Sequence, residues 1–374
     1  MRAVAWQAVT LLAAILLIGW LAHNLMENLA RRGITVGFDF LSRAARFPIS
    51  ESLLPYSSTD SFAWAFVVGF ANTLFLSALV IVSSTLLGFL VALARRSRHP
   101  LASGLSTVFV EGARNTPLVV QLLFWYAVVT FGLPSVADAV EPLTGVFLTD
   151  RGLYLPRVKM GASALFAMAV TVAGFGTWIA ASVIGRKKRV ASGRLNRYSL
   201  VAALCAALAS ALAWLVALPS LDVEHPVSGR FNFAGGLELT PELVAILLGL
   251  VLYSTAFTGE IIRGGIDAVS RGQWEAGHAT GLTDAQTLRL VIVPQALRII
   301  IPPLTSQYIN IVKNSTLALV VGYPELNFVT ATTINQTGQA IEGIAILMLA
   351  FLLVSLAASL LMNWYHRRIA LPTR

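Results

Sequence analysis

Eight stretches of this chain are nearly free of formal charge over the length a helix needs to cross a bilayer. Seven contain no Asp, Glu, Lys or Arg: 3–26, 61–94, 115–137, 160–185, 198–221, 243–259 and 343–366. The eighth, 299–324, is interrupted only by Lys313. Roughly 20 residues rising about 1.5 Å each span the hydrocarbon layer. Backbone groups in lipid must be satisfied within the segment, so such runs are helical. Only 12% of the 374 residues are charged, about half the share on a soluble domain. A cytosolic enzyme, a disordered chain and a secreted disulfide scaffold are excluded. The lone Cys205 has no partner for an internal disulfide. The expected fold is all-α and polytopic, with about eight transmembrane helices.

The basic residues set the expected topology. They cluster at Arg95, Arg96 and Arg98, at Arg186, Lys187, Lys188, Arg189, Arg194 and Arg197, and at Arg367, Arg368 and Arg374. Positive-inside counting places all three groups, and both termini, in the cytoplasm once the run broken by Lys313 counts as a span. The first run reads as a retained signal-anchor helix. The long run 61–94 is expected to begin at the interface, and 27–60 to form a small ordered cap or interfacial segment. The net charge of +9 is thus topology plus attraction to anionic lipid headgroups. Nucleic-acid binding is not expected, because the basic loop at 186–197 lacks interleaved aromatics.

Catalytic chemistry is missing. None of the four lysines sits in G-x-x-x-x-G-K-[ST], the loop that cradles nucleotide phosphates. The five histidines are isolated, without H-E-x-x-H or a cysteine partner, so no metal site is expected. No G-x-S-x-G elbow occurs. Energy for uphill transport must come from an ion gradient or from another chain.

The segment 263–294, assigned to the cytoplasm between the sixth and seventh spans, is richer than a connector requires. Gly281 suits the left-handed position that ends a helix. Thr283 followed by Gln286 fits a capping box that starts another. Pro294 suits the first turn of the next span. Small residues at Ala276, Gly277, Ala279 and Gly281 permit close approach by a partner, although an amphipathic helix resting on headgroups would serve as well.

Glu275-Ala276, then Gly281, then Val291-x-Val293-Pro294 resembles the E-A-A-x3-G-x9-I-x-L-P signature of ABC importer permeases. Gly277 replaces the second alanine, and Val291 and Val293 replace Ile and Leu; the Glu-to-Gly-to-Pro spacing is unchanged. The resemblance implies a type I importer permease fold. It further implies that Glu275, Ala276, Gly277, Gly281, Leu282 and Pro294 belong to a coupling segment gripped by a separate ATPase. ATP and Mg would then be bound by that partner, leaving this chain without cofactor or catalytic residue. Phe70-Ala-Asn72-Thr73-Leu74, Glu111-Gly-Ala-Arg114-Asn115-Thr116-Pro117-Leu118, Lys313-Asn314-Ser315, Gly322-Tyr323-Pro324 and Asn335-Gln336-Thr337-Gly338-Gln339 are similar to the polar amino acid branch. Its long members serve broad L-amino acid or glutamate, glutamine, aspartate and asparagine uptake. That branch implies a second, different permease chain, an ATPase dimer, a periplasmic binding protein and a bacterial inner-membrane location.

The resulting division is a first helix with its extracytoplasmic segment (1–60), a first core part (61–134), an inserted hairpin of two extra spans (135–239) and a second core part (240–374). Lys313, Asn314, Ser315, Tyr308, Gln307, Arg114 and Asn115 are candidates for the substrate path, because charged and polar groups within spans usually face protein or water. Glu260 and Arg263 read as a structural i,i+3 pair. The rival reading is a gradient-driven secondary transporter or channel acting alone, but such proteins bury acids mid-span for ion coupling. No Asp or Glu lies in the middle of any expected span.

Overall fold

A computed structural model describes residues 2–31, 37–192, 198–229 and 232–369. Twelve helices account for most of it. α1 (Arg2–Arg31), α2 (Phe62–Arg95), α3 (Pro100–Asn115), α4 (Leu118–Gly132), α5 (Ala162–Ser192) and α6 (Tyr198–Ala217) precede α7 (Pro241–Asp267). There follow α8 (Arg271–Ala279), α9 (Asp284–Thr287), α10 (Val293–Asn314), α11 (Leu326–Thr337) and α12 (Ala340–Ile369). Among the described residues, six stretches are long and apolar enough to cross a membrane: Phe62–Arg95, Ala162–Gly185, Leu200–Ser220, Pro241–Asp267, Asp284–Val321 and Ala340–Met362. A shorter apolar stretch, Val9–Leu25, lies within α1.

Two expectations change. The run at 115–137 is not one straight helix: α3 and α4 meet at 108° and together make at most one broken span. Pro117 supplies no N–H and disfavours helix at Thr116, whose φ and ψ of −98° and 127° are extended. Second, 61–94 is a single 34-residue helix, and its start is covered by protein. Ser61 caps it by accepting the Trp64 N–H at 3.2 Å. Phe62, Ala65 and Phe66 pack with Phe40, Ala45 and Phe47 of the preceding cap and with Leu326 and Val329.

The chain divides into two compact units, Met1–Ala127 with Glu242–Arg374, and Val128–Pro241. The second contains β-structure that hydropathy did not reveal. β1 (Val140–Leu143), β2 (Val146–Thr149), β3 (Gly152–Leu155) and β8 (Leu237–Leu239) form an antiparallel sheet in the order β1-β2-β3-β8. β4 (Arg157–Met160) pairs with β5 (Leu221–Glu224), and β6 (Val227–Ser228) with β7 (Phe233–Ala234). Phe147 stacks on Phe233 at 4.5 Å, and the buried Tyr154 hydroxyl bonds Asn232 and Glu238, the latter at 3.1 Å. Burial and the Glu238 charge push the Tyr154 phenol up to about 12. From this sheet α5 and α6 project as a hairpin.

Candidate functional site

The elbow is built from short-range signals. α8 closes in a left-handed turn at Gly281, whose φ is +80°. Leu282 N–H donates to Gly277 O at 3.2 Å, and Gly281 N–H to His278 O at 2.9 Å, satisfying carbonyls that the helix end would orphan. α9 then opens with the reciprocal capping box: Gln286 N–H reaches Thr283 Oγ1 at 3.3 Å, and Thr283 N–H reaches Gln286 Oε1 at 2.9 Å. His278 Nε2 lies 2.8 Å from Asp284 Oδ1, a clasp across the bend. Pro294 does not begin a fresh helix. A π-helical turn, Leu288–Ile292, carries α9 into α10, and the proline stands in the first turn of α10.

One face of this elbow is anchored and the other is free. Val269, Ile292, Ala296 and Ile300 form a buried cluster with Ala92, Ile262 and Ile266, and Trp274, Leu288 and Val291 pack against it. Gln295 Nε2 donates to Gln273 Oε1 at 2.9 Å, tying α10 to α8. Gly277 is buried, and a Cβ there would lie 2.5 Å from Thr287 Cγ2. That contact is a physical reason for the departure from the second alanine of the signature. Glu275, Ala276, Ala279 and Gly281 are exposed, and Leu282 is half-buried. Glu275 makes no ion pair or hydrogen bond among the described residues.

The elbow hangs from an ionic knot that reading the charges as topology signals had missed. Glu260 accepts from both Arg95 and Arg263. Arg263 Nη1 also bonds Asp267 at 2.7 Å, and Arg96 Nε reaches Asp267 at 3.3 Å. The pair Glu260–Arg263 is therefore structural, as expected, but α7 continues one turn beyond it. Glu111 faces Arg95 at 3.9 Å, whereas Arg114 lies 5.3 Å over the Phe257 ring. These bonds join the ends of α2, α3 and α7 beside the elbow.

Away from the elbow, the motif residues of α2 meet the turn before α11. Asn72 Nδ2 donates to Pro324 O at 2.9 Å and Glu51 O at 2.8 Å, while its Oδ1 accepts the Leu53 N–H. Thr73 Oγ1 accepts the Leu326 N–H at 3.0 Å. Buried Glu325 caps α11, accepting Asn327 N–H at 2.8 Å and Phe328 N–H at 2.9 Å. Desolvation pushes its carboxyl up to about 7 despite those donors. Sequence reading passed over Glu325; its position directly after the turn residues Gly322-Tyr323-Pro324, ahead of an apolar helix start, was the available signal.

The seven candidates for a substrate path do not converge. Gln307 and Ser315 are buried, and Ser315 Oγ turns back to Val312 O at 2.6 Å. Tyr308 bonds Thr85 at 2.9 Å and lines an apolar cavity of about 440 Å³. Lys313 lines a different one, and Asn314 is half-buried. Arg114 and Asn115 are exposed at the α3–α4 bend.

A helical protein with several membrane-length spans and an anchored, half-exposed elbow between two of them is a polytopic membrane component. The family described as "Binding-protein-dependent transport system inner membrane component" matches residues 84–371, and this chain belongs to it. It is a non-catalytic permease subunit of an ABC-type importer. The chain is 45% identical to the YhdX protein of Escherichia coli (strain K12), over 100% of its own length and 95% of the relative. It is 39% identical to the general L-amino acid transport system permease protein AapQ of Rhizobium johnstonii, covering 100% and 93%. It is 33% identical to the glutamate/glutamine/aspartate/asparagine transport system permease protein BztB of Rhodobacter capsulatus, covering 100% and 95%. In fold it resembles a solved amino acid ABC transporter crystallised with histidines, with a TM-score of 0.50 at 21% identity over 82% of this chain and 95% of the other.

Proposed function

We propose that this subunit carries polar L-amino acids, received from a soluble binding protein, and works beside a second permease chain of different sequence. A partner ATPase that binds ATP and Mg grips the elbow through Glu275, Ala276 and Gly281, while Gly277, Leu282 and Pro294 hold its shape. Relatives named for L-amino acid and for glutamate-family transport support the cargo class. The observation that carries the coupling role is the two-faced elbow: Trp274, Val291 and Ile292 root it in a hydrophobic cluster with α2 and α7, while Glu275 stays exposed without a partner among the described residues. Closing an ATPase pair would pull on that free face, and a segment rooted in α7 and α10 would transmit the displacement to both helices. Alternating access of this kind moves helix bundles around a fixed route. The domain division at 61–134 and 240–374 then corresponds to the moving core, with 135–239 an addition to it.

The test is a reconstituted transporter in which Glu275 is replaced by lysine. Amino acid uptake and ATPase stimulation by loaded binding protein should both fall at least tenfold, corresponding to ~1.4 kcal/mol of lost coupling. Unchanged stimulation and unchanged uptake would remove Glu275 from the contact. Uptake by the permease pair without any ATPase would remove the ATP-driven reading altogether.

A further inference from the structure

At the end of α10 away from the elbow, a cation stands within a membrane-length apolar segment with nothing among the described residues to neutralise it. Lys313 lies inside the stretch Asp284–Val321, roughly 15 Å from its end, because Ser315–Val321 is a 3-10 helix rising about 2 Å per residue. Its side chain is exposed and makes no ion pair or hydrogen bond among the described residues. An uncompensated lysine is costly in hydrocarbon and persists where a counter-charge or water reaches it. Beside it runs a groove of about 840 Å³ along α12, lined by Ala345, Met348, Leu349, Leu352 and Ser355, with Thr316 next to the lysine.

The chemistry of this groove is one-sided. It offers one positive charge, two hydroxyls and otherwise hydrocarbon, and no carboxylate lines it. Glu342, at the start of α12, is buried and accepts the Gly37 N–H at 2.8 Å. A free amino acid would bring an ammonium as well as a carboxylate, and the ammonium would find hydroxyl oxygens here but no carboxylate to balance its charge. An anionic phospholipid needs only what is present: a cation for its phosphate and an apolar trough for an acyl chain. A long lysine stem can carry the ammonium toward the headgroup while its methylenes stay in the apolar layer.

We propose that Lys313 and the α12 groove form a binding site for one anionic phospholipid, with the phosphate on Lys313 Nζ and an acyl chain along Met348, Leu349 and Leu352. The lysine in this role anchors lipid and does not touch the cargo.

The assembled transporter, stripped and reloaded in discs of mixed phosphatidylglycerol and phosphatidylcholine, should retain phosphatidylglycerol preferentially when weighed by native mass spectrometry. One lysine near an anionic headgroup corresponds to about a fivefold preference. Lys313→Gln should abolish that preference and Lys313→Arg should keep it. Ser355→Trp, which fills the groove and leaves the lysine, should also release the lipid. Undiminished phosphatidylglycerol retention in Lys313→Gln overturns the proposal. So does a raised uptake KM for Lys313→Gln in pure phosphatidylcholine vesicles, which would put the lysine on the cargo. Efficient cross-linking of Ser355→Cys to the second permease chain would likewise overturn it, by giving the groove to a protein.

Discussion

α7 and the α5–α6 hairpin are both apolar crossings, and α6 is the more apolar of α6 and α7. Their surroundings are opposite. Over the most apolar window of each, 56% of α7 is buried in protein, against 11% for α5 and 6% for α6. α7 admits its neighbours at glycines: a Cβ on Gly259 would lie 3.1 Å from Gly88 O, and one on Gly265 would lie 2.1 Å from Ile300 Cγ1. The hairpin holds together through its own seam, where Thr171 bonds Ser210 at 2.7 Å and Gly174 faces Ala206. Hydropathy therefore reports only that a segment crosses. Small residues pressed against named neighbours report which crossing is central, because close packing drives helix association in lipid.

The widest difference should appear on trimming a leucine in each. Leu250 of α7 is fully buried, and Leu208 of α6 is 63% exposed. Leu250→Ala leaves a cavity whose walls cannot fully collapse and should cost about 2–5 kcal/mol. Leu208→Ala leaves a gap on an exposed helix face that lipid tails refill, and should stay within about 0.5 kcal/mol. Thermal unfolding of the detergent-solubilised complex measures both. Equal losses would show that the hairpin is buried in the assembled transporter, and would erase the contrast.

Polar groups divide the same way, exposed in the hairpin seam and buried in the clasp of Asn72, Thr73 and Glu325. Glu325 supplies a pH test. Its carboxyl is raised from 4.5 to about 7 in the folded chain, so folding takes up a proton between those values. Stability from this group is complete below pH 4.5 and is lost as pH rises through 7. A difference of that size corresponds to about 3 kcal/mol. Glu325→Gln, which cannot ionise, should flatten that part of the stability–pH curve while retaining an acceptor for the α11 cap. A wild-type curve that rises between pH 5 and 7, with the slope kept in the variant, would refute the raised carboxyl.

Much of this was legible in residues whose signals are local. Charge-free runs marked the spans, and Thr283, Gln286 and Gly281 marked the elbow, because caps and turns depend on neighbours a few positions away. The Glu275-to-Pro294 spacing carried the family. The β-structure of Val128–Pro241 was not read, since its strands are two to four residues long and too short for alternation to register. The α3–α4 bend was signalled by Pro117 but masked by the apolar residues after it. Arg95 and Arg96 were read only as topology signals, and Asp267 was not singled out. Only the folded ends of α2 and α7 bring them together, and no spacing along the chain encodes that. Lys313 was legible as unusual; that its groove offers no acid became visible only with α12 in place.

The elbow extends the close packing of α7 into the proposed coupling segment, and a pair of substitutions there separates shape from contact. Gly277 is the one position where the signature's small residue is reduced further, and Thr287 fills the space that an alanine methyl would need. Gly277→Ala gains helix propensity of up to about 1 kcal/mol but forces a buried threonine aside, a strain of about 1–3 kcal/mol. The net effect should be a loss of roughly 1 kcal/mol in the elbow, with weakened ATPase stimulation and little change in the remaining spans. Thr287 Oγ1 is buried without a partner among the described residues, so Thr287→Ala removes both the obstruction and an unsatisfied hydroxyl. The double variant Gly277→Ala with Thr287→Ala should therefore regain wild-type stimulation, and a double-mutant cycle should return a coupling energy of at least about 0.5 kcal/mol. Strict additivity would mean that Gly277 is required at the ATPase surface and not against Thr287. The free face of the elbow would then be wider than Glu275, Ala276 and Gly281.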